Sequence, residues 1–176
     1  MTSTHASLVH PSSGKVDVFV GGAGTGGTVS GVARGIKKAH NPDCVVVGVD
    51  PVRVDPVTPL DLCSHALSQV GSLLALPASL NEAGKGRSYV VEGIGYDFTP
   101  DVLTREPGMI DTWVKTNDTD TFAAVQLLMR HEAVLVGGSS GSALAGALAW
   151  LRSESGREIS QMPGKNVVIM LPDGCV

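Results

Sequence analysis

The sequence lacks a basic excess, a long apolar run and a secretory signal, and each absence excludes a class of protein. Its net charge is −4, so it offers no basic surface to nucleic acid. No apolar run reaches the roughly 18 residues of a membrane-spanning helix. The first residues carry neither the charged start nor the apolar segment of a signal peptide. We therefore expect a cytoplasmic protein without a membrane or nucleic-acid partner.

Cysteine is also scarce. The three cysteines, Cys44, Cys63 and Cys175, share no metal-ligand spacing and leave one unpaired in any disulfide scheme. The five histidines are scattered singly along the chain. We expect reduced thiols and no metal site.

Glycine, in contrast, is abundant: 22 of the 176 residues are glycine, against a typical share of about 7%. The glycines follow no collagen period, so tight turns and close approaches of the backbone explain them best. Hydrophobic residues make up 43% of the chain, which is typical of a globular protein.

Predicted strands alternate with predicted helices, which indicates an α/β fold with a parallel sheet. The strands are predicted at residues 16–20, 45–49, 134–136 and 167–171. The helices are predicted at residues 28–39, from 117 or 118 to about 129, and 139–151. The strand at 45–49 is apolar throughout, as expected of a strand with both faces covered.

A glycine-rich turn at residues 21–28 links the first predicted strand to the first helix. Glycines allow the backbone to turn its N–H groups inward, and a helix N-terminus adds partial positive charge. Gly24, Thr25, Gly26, Gly27 and Thr28 therefore form a candidate site for an anion such as phosphate. The alternative is that the glycines serve only a tight turn.

The same turn matches the G-x-G-x-x-G pattern at Gly22, Gly24 and Gly27, and Asp50 ends the next predicted strand. This spacing is also typical of a nicotinamide-dependent oxidoreductase, in which such an acid binds the ribose. That interpretation leaves a second glycine turn unexplained.

The second turn, Gly-Gly-Ser-Ser-Gly-Ser at residues 137–142, again lies between a predicted strand and a helix. Its serines are candidate N-caps, which accept hydrogen bonds from the free N–H groups of a helix. A nucleophilic serine is a weaker alternative, because the G-x-S-x-G pattern is not matched.

These two turns, with Glu-Gly-Ile-Gly-Tyr-Asp-Phe between them at residues 92–98, resemble the cystathionine β-synthase and cysteine synthase family. The resemblance implies a pyridoxal 5′-phosphate (PLP) enzyme with a partial tryptophan-synthase-β-like fold, fold type II. It implies that Gly24 to Thr28 bind the cofactor phosphate and that Ser139 bonds the pyridine nitrogen. A serine partner leaves that nitrogen largely unprotonated, which suits β-elimination and β-replacement.

The implied reaction joins serine and homocysteine to give cystathionine and water, in cysteine biosynthesis. Tyr96-Asp97 after Gly-Ile-Gly is similar to the cystathionine synthase branch of the family. Gly93 and Tyr96 would lie on the substrate side. The resemblance further implies amino-acid substrates and a homodimer.

The lysine that forms the Schiff base with the cofactor lies far upstream of the phosphate loop in this family. Lys15 is the sole lysine before Gly24, and it lacks the family's surrounding motif. We therefore expect residues 16–174 to be the C-terminal part of a catalytic domain, after a short irregular tail at residues 1–15, with no turnover on its own. A non-catalytic protein that binds PLP or phosphate is the alternative.

Residues 52–69 interrupt the family pattern. Removing them joins Asp50-Pro51 to Val70-Gly71-Ser72, which restores the family's order at this point. Val52-Arg53 is compatible with a splice-donor codon pair and Gln69 with a splice acceptor. We expect a retained intron, and the alternative is a surface insertion, which loops tolerate at low cost.

Overall fold

The computed structural model describes residues 14–52, 69–84 and 88–173. Most of the predicted tail, most of the segment 52–69, Cys63 and Cys175 lie outside these ranges. Cys44 is a free, buried cysteine in the core, and its burial raises its pKa to about 11.

A four-stranded parallel sheet forms the centre of the molecule. Two further strands of two residues each pair with one another in antiparallel orientation. In chain order the strands are β1 (Val18–Gly22), β2 (Val45–Pro51), β3 (Gln69–Val70), β4 (Ser88–Tyr89), β5 (Thr112–Thr116) and β6 (Val167–Ile169). The order across the large sheet is β5-β2-β1-β6. This architecture confirms the predicted α/β fold with a parallel sheet.

Within the described ranges, four α-helices and one 3₁₀ helix accompany the strands. They are α1 (Gly27–Ala39), α2 (Asp118–His131), α3 (Gly138–Arg152), α4 (Glu154–Gln161) and the 3₁₀ helix Ala78–Gly84. The first three helices were predicted to within one residue at their starts, whereas α4 and the 3₁₀ helix were not predicted. No helix in these ranges is long and apolar enough to cross a membrane.

The core lies on both faces of the sheet, because alternate residues of a strand point to opposite sides. On one face Phe19 and Val46 pack against the buried side of α1. The helical spacing of its apolar residues predicts this side, and the structure confirms it for Val29, Val32, Ala33 and Ile36. On the other face Val18 and Val47 pack against Trp150 of α3.

The helical spacing of Phe122, Val125, Leu128 and Met129 in α2, and of Leu144, Ala147, Leu148 and Leu151 in α3, predicts an apolar face on each helix, and these predictions are confirmed only in part. The buried side of α3 consists of its serines and small residues together with Trp150, whereas the predicted Leu144, Leu148 and Leu151 are only partly buried. Small residues prevail here because α3 packs very closely: a Cβ on Gly146 would lie 2.5 Å from Val49 of the sheet. In α2, likewise, Thr121 and Ala124 are buried and the predicted Phe122 is exposed. Of the other residues predicted to be buried, Ala147 is fully buried, and Val125, Leu128 and Met129 are partly buried.

The predicted strand at residues 134–136 is also wrong. Only Val136 forms an isolated bridge, and Leu135 is exposed. Residues 132–137 connect α2 to α3, which pack directly against each other, and the segment serves as this connection. The fourth strand is instead β5, which pairs with β2.

The chain before the segment 52–69 and the chain after it are hydrogen-bonded to each other at Asp50, at the end of β2. The carboxylate of Asp50 accepts a hydrogen bond of 3.0 Å from the backbone N–H of Ala75. Lys115 of β5 bonds the same carboxylate at 2.7 Å and the carbonyl of Ser72 at 3.1 Å. The chain after the segment is thus attached to the sheet by contacts that do not involve it.

We therefore predict that a chain without residues 52–69 retains its fold. Its free energy of unfolding is expected to fall by about 1–2 kcal/mol, because the deletion removes the hydrogen bond from the N–H of Val52 to Thr116 and the pairing of Gln69 with Tyr89, whereas the cost of loop closure changes slowly with length. Urea denaturation followed by circular dichroism measures this. A control in which a glycine-serine linker of equal length replaces the segment separates sequence from length. Loss of cooperative unfolding in the shortened chain would contradict the prediction.

Candidate functional site

The carboxyl ends of β1, β2 and β6 lie at the same edge of the parallel sheet. β1 lies between β2 and β6 in the sheet. The chain continues from β1 to β2 on one side and adds β6 later on the other side, so the strand order reverses at β1. Ligands of open α/β sheets bind at such a point, outside the carboxyl ends of the strands. The first glycine turn directly follows β1 at this position.

The turn leads straight into α1 without a side-chain cap. Gly26 is the N-cap residue, with a φ of 81°, and no side chain bonds the first N–H groups of the helix. This left-handed conformation suits glycine, and a Cβ at this position would also lie 2.6 Å from Cβ of Leu103. The N-terminus of α1 therefore presents N–H groups and the positive end of its dipole to a ligand.

A cavity of about 140 Å³ lies at this helix end. A single water needs only about 10–15 Å³, so the cavity has room for a phosphate group. It is lined by Gly22, Gly24, Thr25, Gly26, Gly27, Thr28, Gly93, Ile94, Met170 and Pro172. All five predicted phosphate-binding residues and the predicted substrate-side Gly93 thus line one cavity, and none of the described residues that line it is acidic.

The segment around Gly93 packs backbone to backbone against the glycine turn. A Cβ on Gly24 would overlap the carbonyl oxygen of Gly93, so only glycine permits this approach. The N–H of Gly95 donates a hydrogen bond of 2.7 Å to the carbonyl of Ala23. The buried Tyr89 hydroxyl donates a bond of 3.1 Å to the carbonyl of Ile94, which holds the segment from behind.

Tyr96 is anchored by its backbone and does not line the cavity. Its N–H donates to the hydroxyl of Ser72 at 3.0 Å, and its carbonyl accepts from the N–H of Leu73 at 2.8 Å. The ring lies 5.1 Å from that of Phe98. The predicted substrate-side position of Tyr96 remains a prediction.

Ser139 lies buried in the first turn of α3, and the helix is capped from a distant part of the chain. The N-cap residue Gly137 has no side chain for a capping bond, so the serine capping expected from the sequence does not occur. The carboxylate of Asp173, just after β6, accepts a bond of 2.9 Å from the N–H of Ser140 and another from its hydroxyl. Sequence reasoning missed Asp173, although its place after a parallel strand was a usable signal.

The same contacts determine the charge of Asp173. Burial alone would raise the pKa of this carboxyl, but hydrogen bonds from the hydroxyls and backbone N–H groups of Ser140 and Ser139 outweigh it and lower the pKa below 3.8. The carboxylate therefore stays ionised at neutral pH, where it also complements the positive end of the α3 dipole.

We predict that Asp173→Asn lowers the free energy of unfolding by about 1 kcal/mol at neutral pH, the usual loss for a weakened helix cap. Because the folded-state pKa is depressed, the ionised carboxyl stabilises the fold above its ordinary pKa of 3.8, and this stability is lost as the pH falls through the folded-state value. Denaturation of both chains across this acid range should show their stabilities converging. If the unaltered chain and Asp173→Asn differ in stability as much in acid as at neutral pH, the loss comes from the shape of the new side chain and not from its charge.

Asp50, the candidate ribose ligand of the nicotinamide hypothesis, is not available to a ligand. Its side chain is fully buried, and Lys115 and the N–H of Ala75 occupy one of its oxygens. The geometry therefore favours a phosphate site over a dinucleotide site.

Comparison with known proteins agrees with this geometry. Residues 6–173 match the model of the family described as pyridoxal-phosphate dependent enzyme. The chain is 42% identical over 170 residues to cystathionine beta-synthase of Dictyostelium discoideum, covering 97% of this chain and 28% of that protein. For cystathionine beta-synthase of Mus musculus the identity is 40%, covering 97% of this chain and 25% of that one. Cysteine synthase A of Salmonella typhi is 32% identical over 171 residues, covering 97% and 45%.

A solved structure shares the fold. A mutant of O-ureido-L-serine synthase with bound O-ureido-L-serine superimposes with a TM-score of 0.68 at 23% identity, covering 97% of this chain and 43% of that one. The chain spans 25–28% of the length of the cystathionine beta-synthases from mouse and Dictyostelium.

Proposed function

The chain belongs to the pyridoxal-phosphate dependent enzymes, in the cystathionine β-synthase and cysteine synthase family, and from that premise we propose that it carries the phosphate-binding and ring-binding part of a β-replacement lyase. The reaction proposed for the complete enzyme joins serine and homocysteine into cystathionine. By itself, the chain is proposed to bind PLP without covalent attachment and without turnover. The glycine-loop cavity is the observation that supports this proposal most directly.

The residues of the cavity fit the phosphate of PLP. The backbone N–H groups at the start of α1 have no side-chain cap, and the hydroxyls of Thr25 and Thr28 add two donors. The close contact between Gly24 and Gly93 closes one side of the cavity with backbone alone. We assign the phosphate to Gly24, Thr25, Gly26, Gly27 and Thr28.

Ser139 is the proposed partner of the pyridine nitrogen. Bound PLP supplies an electron-withdrawing ring that stabilises negative charge on the substrate. The neutral hydroxyl of Ser139 moderates that withdrawal, in contrast to a carboxylate bonded to the ring nitrogen. Ser139 is held in a rigid first helical turn, which suits an orienting role.

The absence of a lysine from the cavity lining supports the proposal of non-covalent binding. Among the described residues no lysine lines the cavity, and three of the described lysines, Lys37, Lys115 and Lys165, form ion pairs with Asp111, Asp50 and Asp17. A Schiff base needs a lysine amine beside the cofactor aldehyde. We therefore propose that the Schiff-base lysine is missing from this chain.

The test is a titration of the purified chain with PLP, followed by protein fluorescence and calorimetry. Pyridoxal, which lacks the phosphate, and NAD are the matched ligand controls. We expect PLP to bind, inorganic phosphate to compete with it, and both controls to bind at least tenfold more weakly. After borohydride reduction, mass spectrometry should show no stoichiometric lysine adduct.

Two results would overturn the proposal. Equal affinity for pyridoxal and PLP would remove the phosphate loop from the site, and tight NAD binding would restore the oxidoreductase hypothesis. Cystathionine formed from serine and homocysteine by the pure chain would refute the proposed lack of turnover.

A further inference from the structure

Asp173 connects the two parts of the proposed cofactor site. It follows Met170 and Pro172, which line the glycine-loop cavity. Its carboxylate meanwhile accepts hydrogen bonds from the first turn of α3, which contains Ser139. A single side chain thus couples the end of β6 to the residue proposed to contact the cofactor ring.

The position of this carboxylate is fixed from both sides. A Cβ on Gly137 would overlap Oδ2 of Asp173, so the carboxylate packs directly on the backbone that precedes α3. The hydroxyl of Ser140, which is completely buried, also lies 3.0 Å from the carbonyl oxygen of Asp173 and 3.3 Å from its N–H. The strand end and the helix start are therefore bonded through both side chain and backbone.

These contacts restrict Ser139. A serine side chain ordinarily selects among three staggered rotamers, and its hydroxyl proton rotates freely. Hydrogen bonds to Asp173 from the backbone N–H and the hydroxyl of Ser140 fix the first turn of α3 and with it the backbone of Ser139, and burial of the Ser139 side chain limits its rotamers. An orienting hydroxyl contributes most to binding when it is fixed before the ligand arrives.

We propose that Asp173 is a positioning residue that fixes the first turn of α3 and thereby places Ser139 for the ring nitrogen of PLP. This inference rests on the proposed function, because the role of Ser139 is part of it. Asp173 acts through Ser139, so its loss should weaken recognition of the ring nitrogen more than recognition of the phosphate.

The experiment compares two ligands: PLP and its 1-deaza analogue, in which a C–H group replaces the ring nitrogen. For the unaltered chain we expect PLP to bind roughly five- to tenfold more tightly than the analogue, the value of one hydrogen bond. Ser139→Ala should abolish this preference, and Asp173→Ala should reduce it to about twofold or less. The double variant should lose no more preference than Ser139→Ala, since both residues act on one interaction.

Asp120→Ala is the matched control, since Asp120 lies in the first turn of α2 and away from the cavity. It should keep the full preference for PLP. Asp173→Asn, which retains a carbonyl oxygen as acceptor, should keep part of it. Unchanged affinity for inorganic phosphate shows that each variant is folded. A change in the affinity for PLP relative to the 1-deaza analogue then does not come from lost stability.

The outcomes separate the inference from the proposed function. If the unaltered chain does not bind PLP, or binds both ligands equally, the proposed function of the loop or of Ser139 fails and this inference fails with it. If Ser139→Ala abolishes the preference and Asp173→Ala retains it, only the role of Asp173 is refuted. A preference that rises in Asp173→Ala would show that the carboxylate competes for the hydroxyl proton, which also overturns the inference.

Discussion

Replacing Lys115 by methionine is expected to lower the free energy of unfolding by about 3–5 kcal/mol, because it leaves a fully buried carboxylate without its counter-charge. Lys115 and Asp50 face each other in the register of β5 and β2. The ammonium group bonds Asp50 at 2.7 Å and also bonds Ser72 and Asn81 at 3.1 Å each. The other oxygen of Asp50, Oδ1, is buried and has no hydrogen-bond partner, so without Lys115 the carboxylate keeps only the hydrogen bond from the N–H of Ala75.

Urea denaturation of Lys115→Met beside Lys165→Met measures the effect against a matched control. Lys165 pairs with the buried Asp17 at 2.8 Å at the opposite end of the sheet, but the Lys165 side chain is itself 36% exposed. The second carboxylate oxygen of Asp17 also accepts a hydrogen bond of 2.9 Å from the N–H of Asn166, so Asp17 keeps a partner and the control should lose less stability. The double variant Asp50→Asn with Lys115→Met should recover part of the loss, because no charge remains buried. Equal losses in the two lysine variants would contradict the burial argument.

The sequence predicted the elements that local patterns determine. Helix α1 follows the 3.6-residue spacing of Val29, Val32 and Ile36, and the apolar run of β2 fits a strand covered on both faces. β5 was missed because its buried Trp113 and Thr116 show no clear alternation. The run at residues 134–136 was mistaken for a strand because three apolar residues cannot distinguish a strand from a connection between packed helices.

The candidate site was predicted where glycine requirements are local and missed where contacts are distant in sequence. The turn at residues 24–28 is recognisable because its glycines and threonines exceed the needs of a turn. Lys115 gave no such signal, and Asp173 gave only its place after a strand. Each acts on a residue more than thirty positions away, and pairing over such distances arises only from the fold. Tyr89, which supports the Gly93 segment, was missed for a different reason, because its partner is a backbone carbonyl.

Gly24→Ala is expected to weaken PLP and phosphate binding at least tenfold and to lower the free energy of unfolding by about 2–3 kcal/mol, the upper range for overpacking. The added methyl group would overlap the carbonyl oxygen of Gly93 and lie 3.5 Å from its carbonyl carbon and 3.8 Å from Cα of Ile94. These neighbours are backbone atoms, so no side-chain rotation relieves the contact. The two segments that form the cavity must separate, which displaces the N–H groups proposed to bind phosphate.

Gly31→Ala provides the matched control, because it adds the same methyl group within α1, where no atom lies within 4 Å of the new Cβ. Alanine is favoured over glycine in a helix, so this variant should be more stable by about 0.5–1 kcal/mol and should bind both ligands unchanged. Titrations run at a temperature at which circular dichroism shows both variants folded separate binding from stability. If Gly24→Ala binds PLP as tightly as Gly31→Ala does, the phosphate does not lie between the glycine turn and the Gly93 segment, since the one methyl that disturbs their contact would then have no effect on the ligand.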